Sequence, residues 1–407
     1  MLERYPELAL EILDQLALPL AFHTTDPPNL ATLASCSLVC KHWSAHSQRL
    51  LFRRVSIPAP GIIFYLRPIP EIVRFPSRIN RMVSFAAAIT ADTEKARWLR
   101  ENVLSIILRP FPSSTAHDLA ALLMNLPNLR ELDITGTSCV FNDAELAQFR
   151  ESGPRITSLI IDSDFSGPIP MMGMPAWPCI LEFIAVIPTL RMLEITSNNV
   201  LQLPLFDLPR GLGLLSVKLN SSRVLDASAC VASLLKDEPN HLQIFYQTKS
   251  AEQVDLREIL RVHGDHLRSL AVQWGPRDPD VLSLCTRLER FEIATFPSNE
   301  LLDAIPRTIK ALAIQGAPWD PPNSASNRHP RVPLGPPASI EHFIEQLDTF
   351  PVLKIFTWLG SSNSPRLATL KEYCESRNIE LRVPPKNSVS GPLGACCKIS
   401  ILDLFCS

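Results

Sequence analysis

Residues 35–46, SCSLVCKHWSAH, place Cys36 and Cys40 four apart, then His42 and His46 four apart. Two thiols and two imidazoles are a donor set for a tetrahedral zinc ion. A second group, VHGDH, holds His263 and His266 with Asp265 between them. The elements that must carry these side chains argue against metal chemistry in both. Pro27 and Pro28 break the chain ahead of Asn29, a good N-cap, so a helix is expected from Leu30. On it Leu30, Leu33, Cys36, Val39, Cys40 and Trp43 form one apolar stripe that runs on through Ser47 to Leu50. His42 and His46 fall about 120° round from the cysteines. Four ligands so placed cannot close on one ion without unwinding the helix. The cysteines therefore read as small apolar members of a docking stripe. His263 and His266 have no third ligand nearby in sequence, which leaves a surface or capping role.

The 407 residues are 46% hydrophobic and 20% charged, with a net charge of −2. That length exceeds one ordinary core and predicts several domains or an extended array. The charge balance supplies no basic excess for nucleic acid. Proline is abundant (37) and glycine scarce (14), which suits many short connections between regular elements. The opening MLERYPELALEILDQLALPLAF carries Glu7, Glu11 and Asp14 where a signal peptide needs an uncharged core. No run approaches the ~18 apolar residues of a membrane span. Ten cysteines without a secretion signal are expected to be reduced thiols, in an intracellular protein, cytoplasmic or nuclear.

Pro6 and Glu7 open a first helix whose Leu8, Ile12, Leu13 and Leu16 share one side. The second helix follows after HTTDPPN, and the segment closes on LLFRRVSI, with Val55 and Ile57 alternating. Taken together, YPELALEIL, LATLASCSLVCKHW and LLFRRVSI resemble an F-box, in the form common in fungal proteins. The agreement lies at Pro6, Glu7, Ile12, Leu13, Leu38, Val39, Cys40 and Trp43. The connection from Ala17 to Asn29 is longer than the usual short turn. The resemblance implies a Skp-family adaptor, and through it a cullin, gripped by Pro6, Glu7, Leu8, Ile12, Leu13, Leu16, Leu33, Val39, Cys40 and Trp43. The alternative is a helical cap that buries the same stripe within the chain.

The remainder repeats one pattern: aliphatic, two variable, apolar, one variable, aliphatic. It occurs as VLSIIL at 103, LRELDI at 129, ITSLII at 156, LRMLEI at 190, LGLLSV at 212, LRSLAV at 267, LERFEI at 288, IKALAI at 309 and LKIFTW at 353, with LQIFYQ at 242 a weak member. Helical stretches such as AHDLAALLMNLPN, DVLSLCTR, NELLDAIPR and IEHFIEQLDTFPV precede the strands. This alternation is similar to leucine-rich repeats. Asn198 and Asn220 fall where the repeat's turn asparagine belongs and are expected to satisfy buried backbone groups. A doubly wound α/β domain would instead want longer apolar strands and a glycine-rich first turn.

The expected fold is α/β: a small helical F-box over 1–57, an irregular leucine-rich-repeat solenoid (a horseshoe) over 58–383 with a proline-rich insertion at 317–337, and a disordered tail over 384–407. In the repeat the aliphatics face the core and the residues between them face a concave surface. On that surface stand Glu131, Asp133, Asp162, Glu194, Lys218, Arg290 and Glu292 as candidate substrate contacts. Its first half is acidic, so a basic stretch of a partner is the complementary ligand. No nucleophile elbow, H-E-x-x-H or phosphate-cradling loop is present in the sequence, and neither catalysis nor a cofactor is expected. The resemblance implies a substrate-recognition subunit of a Skp–cullin–F-box ubiquitin ligase with an unknown protein substrate. The rival is a repeat scaffold without a ligase. Neither nucleic acid nor membrane is expected as a partner.

Overall fold

The structure is a computed structural model that describes residues 28–39, 41–57, 81–108, 116–135, 141–162, 182–201, 213–224, 242–248, 256–273, 278–314, 339–359 and 367–383. Pro6, Glu7, Leu8, Ile12, Leu13, Leu16 and Cys40 lie outside them, as do the insertion and the tail. The side chains of Val39 and Asp162 are likewise outside the description. The chain divides into two compact units, with the boundary between Leu190 and Arg191.

The first unit opens with α1 (Pro28–Val39) and α2 (Lys41–Arg53), where one continuous helix was expected. Packing requires the turn. In a straight helix Leu33 and Leu50 would stand about 25 Å apart. Instead they share one buried cluster, with Cys36, Trp43 and Leu51 against it. α2 runs directly into β1 (Arg54–Ile57), which pairs in parallel with β2 (Ser105–Leu108). Helices α3 (Arg81–Thr90) and α4 (Glu94–Asn102) precede β2, and the Thr93 side chain caps α4 by accepting from Ala96 N. Then come α5 (Ala116–Met124), β3 (Glu131–Thr135), α6 (Asp143–Ser152) and β4 (Ser158–Asp162). A capping box between Asn142 and Glu145 starts α6. Each strand pairs in parallel with the next.

The second unit holds β5 (Met192–Leu201), β6 (Ser216–Val224), β7 (Ile244–Thr248), β8 (Ser269–Val272), β9 (Arg290–Ile293), β10 (Ala311–Ile314), β11 (Ile355–Trp358) and β12 (Glu380–Arg382), with each strand from β6 on parallel to its predecessor. Between them lie α7 (Arg257–His263), a 3₁₀ helix at Pro279–Leu284, α8 (Asn299–Ala304), α9 (Ile340–Asp348) and α10 (Leu367–Ser376). Within each unit strand order follows sequence order. A doubly wound sheet reverses at a switch point, and no such reversal occurs within either unit. The architecture is therefore an α/β fold of parallel strands added one repeat at a time.

Register lines the aliphatics into columns. Leu193, Val217, Phe245, Leu270, Phe291, Leu312 and Phe356 occupy one level and are buried. The level two residues on holds Ile195, Leu219, Gln247, Val272, Ile293, Ile314 and Trp358, also buried. Gln247 breaks this column, and its Nε2 is buried without an acceptor among the described residues. The first aliphatics are buried as well: Leu190, Leu242, Leu267, Leu288, Ile309 and Leu353.

Two expectations are corrected. The repeat at 212 is set two residues later, on Leu214, Val217 and Leu219, all buried, while Leu215 is only half-buried. Run-on leucines allow both frames, and the two-residue slip keeps every strand side chain on its own face. Asn198 and Asn220 do not close turns; they lie inside β5 and β6. Carbonyls at the opposite end of the strands are satisfied instead by Asn128, Thr189 and Thr308, whose side chains donate to the carbonyls of Glu101 (2.9 Å), Ile156 (2.7 Å) and Leu288 (2.7 Å) in the preceding repeat.

Candidate functional site: two binding surfaces

The helix pair offers one surface. Leu33 is fully buried and holds α1 against α2, so it supports a docking surface rather than contributing contact area. Cys36 and Trp43 are partly buried against the same cluster. Leu38 points the other way and stands 86% exposed. A single exposed aliphatic is ordinary on a protein surface; what distinguishes Leu38 is its place beside the closed helix pair. Phe52, at the end of α2, is 40% exposed and meets the edge of Trp98 with ring centroids 5.6 Å apart. The division into α1 and α2 removes the unbroken helix from which the zinc geometry was argued. Among the described residues no three His, Cys, Asp or Glu side chains gather as a metal site. His263 is buried at the end of α7, and His266 Nε2 lies 3.5 Å from Asp265 Oδ2.

The second surface is the outward face of the strands. Glu131 and Asp133 are half-buried on β3. Glu194, Lys218, Tyr246, Ala271, Glu292, Ala313 and Thr357 share one outward level across β5 to β11. Lys218 Nζ sits 3.6 Å from Glu194 Oε2 and 5.5 Å from the centre of the Tyr246 ring. The acidic half of the face is thus partly neutralised from within, because β6 brings a lysine alongside the β5 glutamate. Arg290 is half-buried and stands two residues before Glu292 on β9. Glu292 departs from the expected solvent contact: it is only 7% exposed, flanked in register by Ala271 and Ala313. Ala271, Ala313 and Thr357 are buried as well, so this stretch of the face is closed to a partner.

A third feature was missed from sequence. In each repeat the first variable position after the leading aliphatic sits at the strand's N-terminal rim. There it carries Arg130, Arg191, Gln243, Arg268, Glu289, Lys310 and Lys354, with Leu104 and Leu215 at the same position, and their carbonyls accept from the N–H groups of the next repeat. Glu289 Oε1 binds both Arg268 Nη2 (3.2 Å) and Lys310 Nζ (3.0 Å). Burial alone would raise the Glu289 pKa, but the Lys310 and Arg268 cations outweigh it and hold the carboxyl below its ordinary 4.5. The cue was available, since the repeat pattern itself marks this position.

No protein-family model matches the chain, and no curated protein matches it. Solved structures similar to the chain at low level include two. One is the crystal structure of a TLR13–ssRNA13 complex, with 12% identity and a TM-score of 0.35 over 70% of this chain. This chain spans 41% of that one. The other is the crystal structure of the Rad7 and Elc1 complex in yeast, with 10% identity and a TM-score of 0.32, covering 78% of this chain and 90% of that one. The repeat architecture rests on strand order and register. Among the described residues no helix is long and apolar enough to cross a membrane.

Proposed function

We propose that the chain is a substrate-recognition subunit of a Skp–cullin–F-box ubiquitin ligase. The observation that carries the proposal is Leu38, exposed on a helix pair whose own core is closed by Leu33 and Leu50. It lies within the Leu38-Val39-Cys40-Lys41-x-Trp43 stretch that resembles an F-box. The pair leads without a linker into β1, so an adaptor held at α1 would sit at a set place relative to the first strands. The protein makes no bond itself. It holds a protein substrate on its repeat strands near an E2 carried elsewhere in the assembly, and rate comes from proximity. Its site of action is intracellular.

A second reading has an observation of its own. Leu33 is buried entirely inside the chain, as a helical cap on a repeat scaffold requires. Co-purification with the host's Skp-family adaptor separates the two, using wild type beside Leu13→Asp and Trp43→Ala. The ligase reading expects capture by wild type and loss in both folded variants. A scaffold expects no capture in any of the three.

A further inference from the structure

The rim of β8 to β10 encloses a cleft of about 590 Å³ within the second unit. Its walls carry Arg268, Arg287, Arg307 and Lys310 around a single carboxylate, Glu289. Glu289 already holds Arg268 and Lys310. Among the described residues Arg287 and Arg307 have no ion-pair partner, and both are exposed. They stand on successive repeats, Arg287 one residue before Leu288 and Arg307 two before Ile309, the leading aliphatics buried in the core. Val352 adds an aliphatic surface to the same cleft and is 42% exposed. His266 lines it too, already beside Asp265.

We infer that this cleft binds an acidic peptide segment, with aspartate or glutamate side chains on Arg287 and Arg307 and an aliphatic residue against Val352. Guanidinium forks match carboxylates in two-point contact. Strands about 4.8 Å apart set the β8–β10 rim at roughly 10 Å, the reach of three extended residues. A nucleic-acid backbone fits worse: the Glu289 carboxylate interrupts the cationic row, and a phosphate chain needs a continuous basic track. The site is built from residues of the second unit only and is measured on the chain alone, so its fate is independent of the ligase reading.

The test is fluorescence anisotropy of the full chain with a labelled Glu-Glu-Leu-Glu-Glu peptide, beside its glutamine counterpart and a single-stranded oligonucleotide. Binding of the glutamate peptide alone is expected, weakening as salt rises. Arg287→Gln and Arg307→Gln should each weaken it about tenfold, the loss of one charge-assisted contact. Lys371→Glu, which removes a cation paired with Glu375 on α10, should leave it unchanged. Each variant should keep the wild-type melting temperature. Equal binding of the glutamine peptide, preference for the oligonucleotide, no binding at all, or insensitivity to both arginine substitutions overturns the proposal.

Discussion

Leu33 and Leu50 pack against each other across the turn between α1 and α2, and this contact converts a linear apolar stripe into a folded helix pair. With Leu33 inside, Leu38 is left outside. Leu33→Ala should cost about 3 kcal/mol, the usual range for a fully buried leucine with a cavity left behind. The urea midpoint of the purified chain measures it. Leu38→Ala should change the unfolding free energy by less than about 0.5 kcal/mol.

Gln247 occupies a column otherwise filled by Ile195, Leu219, Val272, Ile293, Ile314 and Trp358, and among the described residues its amide donor is buried without an acceptor. Gln247→Leu restores an apolar column. It should stabilise the chain by about 1 kcal/mol, the penalty that an unsatisfied buried group carries. A lower urea midpoint in the variant would contradict this.

Much of this column was legible in the sequence, because L-x-x-L-x-L spacing dictates which side chains turn inward once strands stack in parallel. Leu132, Ile134, Phe291 and Ile293 fall where the pattern puts them. What escaped had physical reasons. β1 and β12 are end strands, and β12 follows Ile379 with a shortened spacing after Asn378, whose φ is 57°. Both α1 and α2 carry helical periodicity, so the stripe reads as one continuous helix. The rim charges belong to positions that look like filler until neighbouring repeats place them side by side. Whether Glu131, Asp133, Lys218 or Arg290 touches a substrate was not legible, since outward position specifies accessibility and not a partner.

The Glu289 carboxyl is held below its ordinary 4.5 by Lys310 and Arg268. A depressed carboxyl contributes stability that is present above its unfolded value and fades as pH falls through the folded one. Stability should therefore decline below about pH 4.5 partly through this group. Glu289→Gln should flatten that acid limb in melting temperatures taken from pH 3 to 7. An acid limb equally steep in the variant would count against the bridge.

Burial pushes the Cys285 thiol up to about 12 and the Cys374 thiol to about 11. Thiolate is the reacting form, so both should resist iodoacetamide at neutral pH in the folded chain and react on unfolding. Cys36, half-buried at the helix pair, should be alkylated first among the three. Peptide mapping after timed alkylation gives the order.

The most direct test of the central claim is calorimetric titration of the host's Skp-family adaptor into wild-type chain and into Leu38→Asp. The substituted side chain is on the surface, so folding should survive and melting temperatures should agree. The account predicts micromolar or tighter binding by wild type and at least about a hundredfold loss in the variant, since an aspartate would be buried unpaired at the interface. Equal affinity of the two chains, or no binding by folded wild type, would contradict it and leave the helix pair as a cap on a repeat scaffold.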